Sequence, residues 1–338
     1  MKVCTFERLG PLGRQKRFGV FYNSTTIIDV NLIFQLDFES KGFYNAHERA
    51  AFKAPHLLSQ WLKLQEAPIE KLQESIDLFE RFSRDGVLKT KNDAYVSFDL
   101  KDEKKTTNLA APIDHINCYR DFYTHEKHVK KGFEKRNEPV PQAWYEIPAY
   151  YKGPTTGFIG NGELVPWPNY TDKLDYELEL AAVMGKDGKN IKAKDAYKHI
   201  FGFTILNDIS ARDIQKKEMA VRLGPAKGKD FCSIIGPVIT TIDEFNYDEP
   251  DLLMTTHVNQ EMWSEGRSSE AHYSWAEMIE HCSKEEWVLS TDLLGSGTVG
   301  TGCGLELDKW IQPGDMIEME IEKIGLLKNI VGTKNGEL

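Results

Sequence analysis

A chain of 338 residues, at roughly 150 residues per domain, has room for about two domains and a sizeable core, which excludes the small disulfide-stapled folds. Apolar and aromatic types make up 41% and charged residues 28%, the balance of a folded globular protein rather than a disordered one. With 42 Lys and Arg against 52 Asp and Glu, the net charge of −10 offers no general attraction for nucleic acid or an anionic membrane surface.

The first residues contain no apolar stretch long enough for an export signal, and no later window approaches the roughly 18 apolar residues of a membrane span, so a cytoplasmic protein is expected. Five cysteines (Cys4, Cys118, Cys232, Cys282, Cys303) are scattered and never spaced CxxC, which points to neither a disulfide framework nor a thiolate zinc site.

In chain order, residues 2–7, 17–22 and 26–30 alternate β-like runs with the turn Asn23-Ser24-Thr25, the pattern of a small meander. From 47 to 82 the period changes to three and four, with Leu58, Trp61, Leu62, Ile69, Leu72, Ile76 and Phe79 marking amphipathic helix that Gly86 closes. Residues 95–100 read as a further strand. The polar run 101–108, followed by Pro112, reads as a linker and divides the chain into residues 1–110 and 111–338. Beyond it a helix is expected near 121–135, then many short β runs broken by Gly and Pro, with helices near 194–199 and 274–282. Regular βαβ alternation is missing, so the expected class is α+β, rich in mostly antiparallel strand.

Five stretches can carry chemistry. In Asp175-Tyr176-Glu177-Leu178-Glu179-Leu180, acidic and apolar residues alternate with the period of two of a strand, placing Asp175, Glu177 and Glu179 on one face. Buried together they would need a proton or a hard cation such as Mg²⁺ or Ca²⁺; exposed, they would simply face water, as the same alternation of Glu318, Glu320 and Glu322 does not distinguish. Asn207-Asp208 ends an apolar run before helix-like spacing, so either residue serves as an N-cap or Asp208 supplies a third oxygen ligand. Asp121, Tyr123, His125 and His128 lie beside Lys127, Lys130, Lys131, Lys135 and Arg136, either a solvated cationic helix or a general base with groups for an anionic ligand. Leu294–Gly300 contains GxGxxG without the helix that a dinucleotide site requires, leaving a Gly-rich loop whose backbone can approach a ligand. Lys229, between glycine-rich turns and an apolar run, is a candidate for stabilising a developing oxyanion.

The ordered set DFYxxxxH, DYELELAAVMG, GFTILNDISARDIQ, LGPAKGKDF, GPVI and GSGTVGTG resembles the fumarylacetoacetate hydrolase family over roughly residues 112–332. The resemblance implies a mixed β-roll catalytic domain of the fumarylacetoacetate hydrolase type, preceded by a smaller amino-terminal β-rich domain and assembled as a homodimer. It implies a divalent cation, Mg²⁺ or else Ca²⁺ or Mn²⁺, held by Asp121, Glu177, Glu179 and Asp208. His128, five residues after the DFY tyrosine, matches the family's general base, with His125 as its rival. Glu306 in Leu-Glu-Leu matches the carboxylate that orients the base, with Glu126 as the alternative. Lys229 matches a lysine near the cation, and Tyr123, Arg136, Arg212, Gln215 and Thr298 match substrate-binding positions. Lys217-Glu218-Met219 departs from the family pattern, where a substrate-binding tyrosine stands, and this argues against fumarylacetoacetate itself as the substrate.

These matches imply a Mg²⁺-dependent hydrolase that cleaves a carbon–carbon bond in a 1,3-diketo acid such as an acylpyruvate. The alternative implied by the same ligand motifs is an isomerase, decarboxylase or hydratase acting on a 2-oxo dicarboxylate in aromatic compound degradation. A third possibility, a binding or scaffolding protein without turnover, would have lost a ligand, and none of Glu177, Glu179, Asp208 and His128 is missing.

Overall fold

A computed structural model describes residues 1–10, 13–101, 109–334 and 336. The expected meander forms as the antiparallel strands Lys2–Gly10, Gly13–Phe21 and Thr26–Asp29. Its first strand also pairs with Ser233–Thr241, through Lys2 opposite Thr240 and Val3 opposite Ile239, so the meander prolongs a long sheet. The order across that sheet is Ser97–Asp99, Thr26–Asp29, Gly13–Phe21, Lys2–Gly10, Ser233–Thr241, Ile200–Asn207, Leu178–Met184, Leu293–Gly295, Tyr119–Phe122 and Tyr150–Gly153. A second sheet runs Glu261–Arg267, Leu253–Val258, Met316–Ile321, Gly325–Val331 and Leu164–Val165. The β-rich α+β class is the one expected. Residues 102–108 of the polar run read as a linker lie outside the described residues.

The strand Leu178–Met184 shows why the long sheet is the centre of the molecule. Leu178, Leu180, Ala182 and Met184 pack into a core shared with Met254, Ile317 and Met319 of the second sheet. Ala181 and Val183, on the opposite face, pack into a core with Phe34, Trp61 and Phe82 of the amino-terminal helices. Burial on both faces turns a period-two sequence into a strand with no solvent side.

The helical stretch expected over 47–82 is built from Ala46–Lys53, Leu58–Leu62 and Pro68–Arg84. Pro68 at the first turn restarts the helix after Ala67, which takes a left-handed conformation at φ 38°. A further helix, Val30–Ser40, was not foreseen: its first eight residues are all buried, so it shows no one-sided apolar stripe, and Asp29 caps it by accepting from the Leu32 N–H at 3.0 Å.

The expected helix near 121–135 is corrected at its start. Residues Tyr119–Phe122 form a fully buried strand parallel to Leu293–Gly295, with Asp121 opposite Gly295, and the helix itself is Glu126–Glu134. The sheet's demand for buried hydrogen-bond partners overrides the local spacing. The region near 194–199 is a 3₁₀ helix, Ala193–His199, and the last expected helix is Trp275–Cys282. Among the described residues no helix is long and apolar enough to cross a membrane.

Ser274 and Glu277 form a capping box at the start of Trp275–Cys282, which places Trp275 and Met278 into the core. Ser274→Ala is expected to cost about 1 kcal/mol of stability, read as a lowered denaturation midpoint with unchanged slope; no shift would mean the box does not hold this helix.

Candidate active site

Glu177 and Glu179 sit at the entry to the strand Leu178–Met184, with side chains on the face that farther along carries Ala181 and Val183. The neighbouring strand Ile200–Asn207 delivers Asp208 just past its end, and Tyr119–Phe122 delivers Asp121. One ligand oxygen from each of Asp121, Glu177, Glu179 and Asp208 lies within 4.8 Å of the others, and all four side chains are buried. By contrast, Glu320 on the strand Met316–Ile321 is exposed, so the same alternation makes an ordinary outer face there.

Asp208 is not an N-cap. The following helix, Arg212–Val221, starts after Ala211 and has no side-chain cap, while Asn207 uses its Oδ1 to accept the Glu177 N–H at 3.0 Å. Asp208 instead accepts from the Tyr151 hydroxyl at 2.7 Å and from the Lys229 ammonium. Lys229 also donates to Glu177, and its pKa is raised because the charges of Asp208 and Glu177 outweigh the cost of burying the ammonium. Arg212 donates Nε to Asp175 at 2.7 Å, one terminal nitrogen to Glu177 at 2.7 Å and the other to Gln215 at 2.9 Å. Its guanidinium is thus engaged in holding the chain's own carboxylates.

The surroundings push the carboxylates in different directions. Burial alone would raise Glu177, but Lys229, Arg212 and His128 lower its pKa to about 2. Asp121 is pushed well up by burial and by the charge of Asp208, and Glu179 by burial and by the charges of Asp121 and Glu177. Asp121 Oδ1 has no hydrogen-bond partner although it is buried. Glu179 accepts from the Gly297 N–H at 3.1 Å and the Thr298 hydroxyl at 3.2 Å, so the Gly-rich loop brings a backbone N–H to a carboxylate of its own chain. Gly297 has φ 79°, a left-handed turn that glycine takes without strain. Four buried carboxylates, one with an orphaned oxygen and two with pKa values pushed upward, form a donor set that would fit a hard divalent cation.

Beside this cluster, His128 on the helix Glu126–Glu134 shares its Nδ1 with Glu306 Oε1 at 2.7 Å. The Thr301 N–H donates to the other Glu306 oxygen at 3.0 Å, and burial-driven upward pressure on Glu306 is overcome by its bonds to His128 and Thr301, leaving its pKa lowered. Glu306 thus stays anionic and orients the ring through Nδ1, with Nε2 outside that bond. The rivals go elsewhere. Glu126 accepts from the Tyr145 hydroxyl at 2.7 Å and pairs with Lys130, and His125 is buried with neither ring nitrogen bonded, its pKa pushed down to about 3 by burial and by His128 and Lys127.

Tyr123 stacks edge-on against His128 with ring centroids 5.5 Å apart, and burial pushes its hydroxyl up to about 12. Arg136 is half exposed and lies over Phe133, 4.2 Å from the ring centre, close enough to Tyr123 for their side chains to interact. Gln215 reaches the site only through Arg212.

Three groups take roles that the sequence did not assign. Tyr151 holds Asp208 from a strand that carries no motif. Asp175 shares the parity of Glu177 but turns to Arg212 and accepts the backbone N–H groups of Gly304 at 2.7 Å and Leu305 at 3.0 Å, which fixes the short helix Gly304–Leu307 that carries Glu306. Cys303, buried, has its Sγ 3.6 Å from Glu306 Oε1 and 3.9 Å from His128 Nδ1. Only Asp175 had a signal in the sequence, as the third member of the acidic alternation.

A cation bound at this cluster would compete with protons for Asp121 and Glu179. Because their folded-state pKa values are raised, the metal-free protein loses stability as pH rises through those values, and cation affinity rises over the same range. Calorimetric titration with Mg²⁺ or Mn²⁺ is expected to show tighter binding and proton release with increasing pH above the usual carboxylate range, and loss of binding in Glu179→Gln. A pH-independent affinity would rule out these carboxyls as ligands.

Residues 117–332 match the family model described as fumarylacetoacetate (FAA) hydrolase C-terminal. The oxaloacetate tautomerase YisK of Bacillus subtilis is 34% identical over 249 residues, covering 72% of this chain and 79% of the relative. Among solved structures, the fumarylacetoacetate hydrolase of the psychrophile Exiguobacterium antarcticum has a TM-score of 0.69 at 23% identity, covering 98% of this chain and 99% of that one. The 5-carboxymethyl-2-hydroxymuconate delta-isomerase of Mycobacterium smegmatis has a TM-score of 0.63 at 23% identity with coverage of 98% and 99%. These two share the fold across nearly the whole chain. The chain belongs to the fumarylacetoacetate hydrolase family, whose members are enzymes acting on small molecules.

Proposed function

We propose that this protein is a divalent-metal-dependent enzyme that makes and protonates the enol form of a small 2-oxo dicarboxylate, interconverting keto and enol tautomers. The observation that carries the reading is the placement of one oriented imidazole, His128 on Glu306, beside the four-carboxylate cluster, with His128 near enough to lower the pKa of Glu177. The 34% identity to an oxaloacetate tautomerase supports the choice of substrate class.

Asp121, Glu177, Glu179 and Asp208 would hold the cation, with Mg²⁺ or Mn²⁺ fitting their hard oxygens. When bound, the ion supplies Lewis acidity at the substrate's carbonyl oxygen. The chain's own groups do the rest. His128 Nε2 removes a proton from the carbon next to the carbonyl and returns it to the oxygen or to carbon, while Glu306 stabilises the imidazolium. Lys229 stays charged between Glu177 and Asp208 and offsets the negative charge gathered at the site. Arg136, half exposed beside Tyr123, is placed to meet the substrate's far carboxylate.

The second reading is hydrolytic carbon–carbon cleavage of a 1,3-diketo acid, and what favours it is the same His128–Glu306 pair, an arrangement suited to deprotonating water. A cytoplasmic homodimer serving the breakdown of aromatic compounds belongs to the same proposal.

Following the enol absorbance of oxaloacetate with EDTA-stripped protein is expected to show acceleration only after Mg²⁺ or Mn²⁺ is restored. His128→Gln is expected to lower the rate by about 10²–10⁴-fold. Glu306→Gln should lower kcat with little change in KM, because it disturbs the base and not the substrate's grip. Loss of acylpyruvate absorbance with ¹⁸O from water entering the product carboxylate would establish the hydrolytic reading instead. Full activity of His128→Gln on both substrates would overturn both.

A further inference from the structure

The mechanism leaves Cys303 without a task, yet its Sγ completes a triangle with Glu306 Oε1 at 3.6 Å and His128 Nδ1 at 3.9 Å. We infer that His128, Cys303 and Glu306 form a second metal site, selective for a thiophilic ion such as Zn²⁺, whose occupation switches the enzyme off while the carboxylate cluster keeps its own cation. Thiolate, imidazole and carboxylate are the donors that tetrahedral zinc takes, and three protein ligands leave a fourth position for water. Zinc bonds of about 2.3 Å to sulfur and about 2.0–2.1 Å to nitrogen and oxygen place donor atoms about 3.3–3.6 Å apart. Both sulfur edges already lie near that span; only the Nδ1–Oε1 edge, a hydrogen bond of 2.7 Å, must open.

The opening has a chemical consequence. Nδ1 now carries the proton that it gives to Glu306, so coordination there moves the ring proton to Nε2, and the lone pair that acts as base disappears. The Cys303 thiol, kept protonated by burial, releases one proton as it binds the ion. The four-carboxylate cluster offers oxygen alone and suits hard cations, so the two sites divide ions by softness. The dyad side chains are 8% and 7% exposed, and Cys303 is fully buried beside them. No sequence spacing announces this set, because its members are separated by 175 and 178 residues from the histidine.

Cobalt serves as the spectroscopic probe, since thiolate ligation gives a near-ultraviolet charge-transfer band that oxygen ligation does not. The protein held in saturating Mg²⁺ and titrated with Co²⁺ is expected to develop that band, to lose it on adding Zn²⁺, and to lack it in Cys303→Ser. His128→Gln, which retains every cysteine, is expected to lack it too. Cys118→Ser, which alters the half-buried cysteine away from the site, is expected to keep it. In turnover assays with Mg²⁺ in excess, Cys303→Ser and Cys303→Ala should need roughly ten-fold or more zinc for half inhibition. Absence of the band from the unaltered protein, its survival in both Cys303→Ser and His128→Gln, or equal zinc sensitivity of both Cys303 variants would overturn the inference. The spectroscopic arm needs no turnover, so it stands or falls apart from the proposed reaction.

Discussion

Four carboxylates buried within 4.8 Å of one another are the costliest arrangement in this chain, and much of the surrounding structure is there to make it tolerable. Like charges in a low-dielectric interior repel strongly, and only protons, cations or hydrogen-bond donors offset that cost. The chain supplies donors and internal cations unevenly. Lys229 and Arg212 neutralise Glu177, Tyr151 and Lys229 serve Asp208, Gly297 and Thr298 serve Glu179, and Asp121 is left with an unbonded oxygen. That unevenness lowers the pKa of Glu177 and raises those of Asp121 and Glu179, so a cation would offset the most charge repulsion at the second pair.

The long sheet makes the gathering possible. Its neighbouring strands Ile200–Asn207, Leu178–Met184, Leu293–Gly295 and Tyr119–Phe122 bring the four carboxylates to one end of the sheet, with Gly295 opposite Asp121 because a side chain there would collide with the carboxylate. Asp175 connects the cluster to the base: it holds Arg212 on one side and the start of Gly304–Leu307 on the other, so the helix bearing Glu306 is registered against the strand bearing Glu177. The acidic cluster and the His128–Glu306 pair therefore share one frame, the condition for preorganised electrostatics. The amino-terminal strands extend the same sheet and pack their helices on its other face, which ties residues remote from the chemistry to the stability of its floor.

How legible this was depends on the range over which each determinant acts. The meander, the helices ending at Gly86 and the helix after Ser274 follow from local periodicity and capping, and they appear where the spacing puts them. Val30–Ser40 escaped because burial on nearly every side erases the stripe that periodicity detects. Asp121 was placed on a helix because its local spacing is helical, whereas a strand remote in sequence claims its backbone. Glu177 with Glu179 and Glu318 with Glu320 have the same local pattern and opposite fates, buried in one case and solvent-facing in the other, since a strand's neighbours decide which face meets water.

By itself, the sequence determined the β-rich α+β class, the family through the order of its motifs, and the carboxylate and histidine types from which a metal-assisted base can be made. Tertiary structure alone decided that Glu306 and not Glu126 orients the imidazole, that Arg212 holds carboxylates of its own chain, that Tyr151 steadies Asp208, and that Cys303 lies against the dyad. The physical reason is the same in each case. Hydrogen bonds and ion pairs act over about 3 Å, and the partners here are separated by tens to nearly two hundred residues, a proximity that only the packing of the sheets creates.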